Sequence, residues 1–160
     1  EPQRATVMDF TAAYVEIQAT YLVPPGSPIQ SVDEVDRPGN RISVSKGSAY
    51  GLYLENHIKQ AELLAVEGGD AAFDAFVNDK LEAYASLRPR LVTEVEKMPG
   101  SRILDGQFSA VQQAVGVNKG NPAAYAWVKD FVETAKSSGM VAGFIETHGV
   151  QGKLSVAPPT

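Results

Sequence analysis

The stretch RISVSKGSAYGLYLENHI, residues 41–58, decides the fold. It opens on a short β-branched and apolar run, which predicts a strand. A polar loop containing Gly47 follows, and then Tyr50, Leu54 and Ile58 recur at four-residue spacing, which predicts a helix with one apolar face. The stretch therefore predicts a strand, a glycine loop and a helix, in that order.

The same alternation continues downstream. Ala61–Val66 is a second apolar run, Asp70 is placed to cap a second helix, and Leu81–Leu87 predicts a third strand. The predicted inner face of the second helix consists of Phe73, Phe76, Val77 and Leu81. Strands that alternate with helices predict an α/β fold, with a parallel-rich sheet covered by helices on both faces.

The flanking segments add further strands. Tyr14–Val23 predicts a strand that stops at a Pro-Pro-Gly break. After a turn at Arg88-Pro89-Arg90, Leu91–Val95 predicts a fourth short strand. Ser101–Val117 predicts further β structure, interrupted at Asp105-Gly106.

The last third of the chain is predicted to be helical. Pro122 suits the first turn of a helix that carries an apolar stripe and ends at Ser138-Gly139. A final helix is predicted over Met140–Thr147, and residues 151–160 are expected to form an extended or disordered tail.

The composition narrows the function classes. The 160 residues carry a net charge of only -5, and the basic residues are scattered, so the sequence does not predict a nucleic-acid partner. No apolar run approaches the roughly 20 residues that cross a bilayer. The chain has no cysteine, and His57 and His148 have no second ligand at metal spacing, so we expect no metal, no cofactor and no catalytic residues.

The order of these segments resembles the bacterial extracellular solute-binding proteins of family 3, the periplasmic substrate-binding proteins of amino-acid ABC transporters. Residues 4–14 are similar to the family segment that closes the first lobe, and residues 42–48 to the strand and loop of the second lobe. Residues 80–84 and 114–120 resemble a later strand of the second lobe and the strand that returns to the first.

The resemblance implies a periplasmic-binding-protein-like type II fold. The chain would contain one complete α/β lobe, together with the crossing strands and C-terminal helices of a truncated first lobe. The implied segments are a first-lobe remnant with a crossing strand (1–24), the second lobe (25–108), the returning strand with C-terminal helices (109–150) and the tail (151–160).

The resemblance also implies a function. The chain would bind an amino acid or a related organic anion without transforming it, in the periplasm or outside the cell, after removal of a signal peptide that this sequence does not include. Its partners in the full system would be an ABC permease and an ATPase.

The loop after the predicted strand at residue 45 is the main candidate ligand site. Unpaired N–H groups at the start of a helix favour a carboxylate or another anion. The candidate residues of the loop are Ser45, Lys46, Gly47, Ser48 and Ala49. The alternative is that Ser48 only caps the helix and Lys46 is solvated.

Two further pairs of residues complete the candidate site. Family members that bind amino acids hold the ligand ammonium with an acidic residue that aligns with Ser86 or Leu87, so this anchor is lost here. Tyr14 and Tyr21 flank the crossing strand and offer aromatic faces, although core packing is an alternative. Arg88 or Arg90 at the predicted turn would favour an anionic solute if either lined the site.

Two other functions stay open at this point. The chain could be an interaction or sensor module that kept the fold and lost the ligand, or an enzyme similar to cyclohexadienyl dehydratases, although Glu16, Glu82 and Asp105 form no recognisable constellation. The resemblance implies that the first lobe is incomplete, so that the apolar faces at Trp127, Phe131 and Phe144 would be uncovered. Uncovered apolar faces predict a homodimer through the incomplete first lobe.

Overall fold

A computed structural model describes residues 4–160. The strands are β1 (Met8–Val23), β2 (Arg41–Ser45), β3 (Glu62–Val66), β4 (Ala83–Leu87), β5 (Arg102–Ile103), β6 (Ser109–Asn118) and β7 (Ser155–Val156). The α-helices are α1 (Ala49–His57), α2 (Gly69–Asn78), α3 (Arg88–Glu94), α4 (Pro122–Ser137) and α5 (Met140–Thr147). The chain forms two compact units: unit 1 contains the residues up to Ile17 together with Gln112–Thr160, and unit 2 contains Gln18–Val111.

Unit 2 is built on a mixed sheet with the strand order β3-β2-β4-β1-β5. β2 runs parallel to both β3 and β4, whereas β1 runs antiparallel to β4, with Ala19 opposite Leu87. The parallel strands therefore end at one edge of the sheet, marked by Ser45, Val66 and Leu87, which we call the carboxyl edge.

Helices cover both faces of this sheet. Because side chains alternate along a strand, Ala83 and Ala85 of β4 join the core that contains Leu54 of α1, whereas Tyr84 packs with Phe76 of α2 on the other face. This arrangement confirms the predicted α/β class, with a parallel-rich sheet and helices on both faces.

Unit 1 packs α4 and α5 against β1. Its core consists of Val15, Ala135, Val141 and Ile145. β6 and β7 both pair with β1, and Val15 lies opposite Val156 of β7. The C-terminal tail is therefore tied into unit 1 through β7, and Ala157 beside it is buried.

Several predicted elements need correction. Leu91–Val95 is not a strand, because Pro89 lies in the first turn of α3 and Leu91 of that helix packs with Phe76 and Tyr84. Gly68, not Asp70, is the N-cap of α2, and Val77 on that helix is exposed. The remaining helices begin and end within a residue or two of the predicted positions.

Within residues 4–160, no helix is both long enough and apolar enough to cross a membrane.

Candidate functional site

The loop from Ser45 to Ala49 connects the carboxyl end of β2 to α1, as predicted. Ser48 is the N-cap of α1: its Oγ accepts the Gly51 N–H at 3.0 Å and donates to the Ser45 carbonyl oxygen at 2.7 Å. Gly47 has φ 74°, a left-handed conformation that glycine adopts without strain. The loop is therefore held in one shape by its own side chain and backbone.

This loop leaves backbone donors free. The first N–H groups of a helix have no acceptor within the helix. The Ser48 cap satisfies the amide of Gly51, and among the described residues the amides of Ala49 and Tyr50 have no acceptor. With the positive end of the helix dipole behind them, these two donors can bind an oxyanion.

Lys46 belongs to the same loop but its charge is compensated. Its Nζ lies 3.4 Å from the Glu67 carboxylate, and both side chains are exposed. Its backbone N–H donates to the Val66 carbonyl oxygen at 2.8 Å. Lys46 thus connects the β2 loop to the end of β3 through both its backbone and its side chain. The contribution of its charge to ligand binding stays a prediction.

Ser86 and Leu87 end β4 at the same carboxyl edge. Ser86 is fully buried, and Leu87 is half-buried and serves as the N-cap of α3 without a side-chain hydrogen bond to the helix. Neither residue can supply the negative charge that an ammonium group requires.

Arg88 and Arg90 follow Leu87 and have different surroundings. Arg90 donates to the Glu94 carboxylate at 2.8 Å and also pairs with Asp70. Arg88 instead donates from Nε to Gln18 Oε1 at 2.8 Å and from Nη2 to the Gly106 carbonyl oxygen at 2.6 Å. Gln18 and Gly106 could not be predicted from the sequence as partners of Arg88, because no local pattern links residues so far apart along the chain.

The two candidate tyrosines lie in different cores. Tyr21 is buried in unit 2, with its ring centroid 4.7 Å from that of Phe108. Burial, followed by the charge of Asp36 and the neighbouring Tyr53, raises the pKa of the Tyr21 phenol above its ordinary value. Tyr14 is half-buried beside the core of unit 1.

Unit 1 carries an apolar groove of about 650 Å³ between its strands and its two helices. Its lining includes Tyr14, Val115, Phe131, Met140 and Phe144. Trp127, stacked on Phe131 with ring centroids 5.5 Å apart, is 68% exposed, so the predicted uncovered apolar surface is present in unit 1.

In the part of the chain that the structure describes, no three His, Asp or Glu side chains are grouped so that they could hold a metal ion. His57 stacks on Tyr53 at 3.8 Å between ring centroids.

No protein-family model and no curated protein matches this sequence. Solved structures do match it. The putative binding component of an ABC transporter from Wolinella succinogenes, complexed with lysine, is 18% identical, with a TM-score of 0.73 over 92% of this chain. The solute receptor for L-cysteine of Neisseria gonorrhoeae is 22% identical, with a TM-score of 0.67 over 92% of this chain.

This chain has the type II periplasmic-binding-protein fold. The chain also matches an amino-acid ABC transporter substrate-binding protein from Streptococcus pneumoniae that is bound to L-arginine. The identity is 20%, and the TM-score is 0.67 over 92% of this chain. The chain spans 65%, 59% and 63% of the length of these three structures, in the order given. The resemblance inferred from the order of segments is therefore confirmed as a likeness of fold.

Proposed function

We propose that this chain acts as a solute-binding component of an ABC-type uptake system, and that it binds amino acids or related small polar or anionic solutes without catalysis. Three solved structures with this fold are described as bound to lysine, as bound to L-arginine and as a receptor for L-cysteine. The proposed partners are an ABC permease and an ATPase, and the proposed location is the periplasm or the outside of the cell.

The observation that carries this proposal is the loop at the carboxyl edge of unit 2. In open α/β sheets, ligands bind outside the carboxyl ends of the strands. Among the described residues, the amides of Ala49 and Tyr50 at that edge have no acceptor, and Ser48 fixes the loop that presents them. We therefore propose that residues 45–49 bind the carboxylate of the solute.

A proline substitution tests the role of the loop amides without a cost to the helix. Ala49 is the first residue of α1, a position that accepts proline, and Ser48 before it has φ -69° and ψ 154°, which a following proline allows. Ala49→Pro removes one of the two free donors. Ala49→Ser keeps the donor and serves as the matched control.

The measurement is a thermal-shift screen with succinate, L-glutamate, L-arginine and L-lysine, followed by titration calorimetry. A ligand that binds only the folded chain raises its melting temperature. We expect at least one of these solutes to do so, and we expect Ala49→Pro to weaken its binding about tenfold while Ala49→Ser does not. If Ala49→Pro folds and binds as tightly as the unmodified chain, the loop is not the site.

The dehydratase alternative requires a carboxylate that is free to act as a general acid. The carboxylate of Glu82 is engaged at the opposite end of β4, where it accepts two hydrogen bonds from the Arg41 guanidinium at 2.8 and 2.9 Å. An interaction module without a ligand would give no thermal shift with any member of the panel.

A further inference from the structure

Three cationic side chains, Lys46, Arg88 and Arg90, lie next to the ends of β2 and β4 at the carboxyl edge of unit 2. Lys46 is paired with Glu67, and Arg90 is paired with Asp70 and Glu94. Within residues 4–160, no carboxylate oxygen lies within 4.0 Å of the Arg88 guanidinium. Of these three cationic side chains, Arg88 is therefore the one that forms no direct ion pair with the described residues.

The guanidinium of Arg88 is held in place by neutral acceptors. Its Nε donates to the Gln18 side chain and its Nη2 to the Gly106 carbonyl oxygen, so two separate segments fix its orientation. An arginine has five N–H donors, and these two bonds leave both Nη1 donors and one Nη2 donor without an acceptor among the described residues. A pre-positioned, planar set of donors suits a carboxylate, which accepts two parallel hydrogen bonds.

The neighbouring residues disfavour a cationic group at the same place. Leu87 is apolar, and Ser86 beside it has only a hydroxyl. Neither Leu87 nor Ser86 therefore offers a carboxylate to replace the hydration that an ammonium group of a solute would lose there. Repulsion by an uncompensated guanidinium adds to that cost.

We infer that Arg88 is a specificity-determining residue that selects solutes carrying a carboxylate or a similar oxyanion, and that the site does not require an ammonium group. This inference rests on the proposed solute-binding function and names the class of solute. Arg90 has no comparable role, because its guanidinium is committed to Asp70 and Glu94.

Succinate and L-lysine are the probes, because succinate has two carboxylates and no ammonium, whereas L-lysine carries two ammonium groups. We expect the unmodified chain to bind succinate more tightly than L-lysine in titration calorimetry. Arg88→Gln should weaken succinate binding about tenfold or more, since hydrogen bonds to charged groups are the strong ones. Arg37→Gln removes the same charge from an exposed position in unit 2 and should leave the affinity unchanged.

Two further variants keep the test valid if Arg88→Gln fails to fold. Arg88→Lys keeps the charge but loses the planar pair of donors, so it should weaken succinate binding, but by less than about tenfold. Leu87→Asp places a carboxylate beside Arg88, and we expect it to weaken succinate binding and strengthen L-lysine binding.

The outcomes separate this inference from the proposed function. If L-lysine binds more tightly than succinate to the unmodified chain, or if succinate binds equally well to all the position 88 and 87 variants, the role of Arg88 is wrong and the proposed solute-binding function stands. If neither these probes nor the other members of the panel bind, the proposed function fails and the inference fails with it.

Discussion

Gly51 lies directly against Ser45. A Cβ atom at position 51 would come within 2.6 Å of the Ser45 carbonyl oxygen and 2.7 Å of the Ser48 Oγ. The first turn of α1 therefore packs so closely on the candidate loop that glycine is required at position 51.

This contact predicts that Gly51→Ala destabilises the chain, although alanine is the better helix former. Gly143 in α5 is the matched control, because a Cβ there would meet no atom within 4 Å. We expect Gly143→Ala to stabilise the fold by about 0.5–1 kcal/mol and Gly51→Ala to lower its stability, as measured by urea denaturation. Equal effects of the two substitutions would show that α1 does not press on the loop.

Removal of the Ser48 hydroxyl tests the cap itself. Ser48→Ala loses the bond to the Gly51 N–H and the bond to the Ser45 carbonyl oxygen. The expected cost is about 1 kcal/mol in the free energy of unfolding. Ser137→Ala, at the C-terminal end of α4, is the control and should change the free energy of unfolding by less than about 0.5 kcal/mol. If Ser48→Ala leaves the midpoint of urea denaturation unchanged, the Ser48 hydroxyl does not stabilise the start of α1.

The pair formed by Arg41 and Glu82 predicts a pH dependence. The hydrogen bond from Arg41 holds the pKa of Glu82 below its usual value, and partial burial opposes this only in part. A carboxyl whose pKa is lower in the folded than in the unfolded chain stabilises the fold above its unfolded pKa of about 4.3, and this stabilisation is lost as the pH falls through the folded pKa.

The stability difference between the unmodified chain and Glu82→Gln should accordingly be largest near about pH 6 and shrink below about pH 4. Denaturation at a series of pH values measures it. Glu55→Gln, on the exposed side of α1, is the control and should change stability little at any of these pH values. A Glu82→Gln difference that stays constant to low pH would contradict the predicted linkage.

The apolar groove of unit 1 predicts self-association. Trp127 and Phe144 beside it are 68% and 60% exposed, and exposed apolar surfaces of this kind mark interfaces. We expect light scattering to give about twice the 17.1 kDa chain mass, and Trp127→Glu to shift the chain toward the monomer. Leu52→Glu, an equally drastic change at an exposed position in unit 2, should not. If the folded chain is monomeric at every concentration tested, the predicted homodimer is wrong.

The sequence predicted secondary structure best in segments where apolar residues recur at one regular spacing. The four-residue spacing from Tyr50 to Ile58 predicted α1, and Ser48 ahead of it predicted the cap, because both signals are local. Leu91–Val95 was predicted as a strand, and the β-branched residues Val92 and Thr93 do favour a strand locally. Contacts of Leu91 with the sheet favour the helix α3 in the folded chain.

The surroundings of the candidate site could not be predicted in the same way. Arg88 and Gln18 are 70 residues apart in the sequence, and Lys46 meets Glu67 because β2 and β3 run parallel to each other. The sequence supplied Arg88 and Arg90 as equivalent candidates. Their difference depends on which acceptors the folded chain brings to each guanidinium.

The most direct test of the central claim is a nuclear magnetic resonance titration of the ¹⁵N-labelled chain with succinate, followed by L-arginine. If the carboxyl edge of unit 2 is the site, the largest shift changes with at least one of these solutes will be at the amides of residues 47–50 and at the Arg88 Nε–H. Shift changes confined to the groove residues Val141 and Phe144, or no shift changes with either solute, would contradict the account.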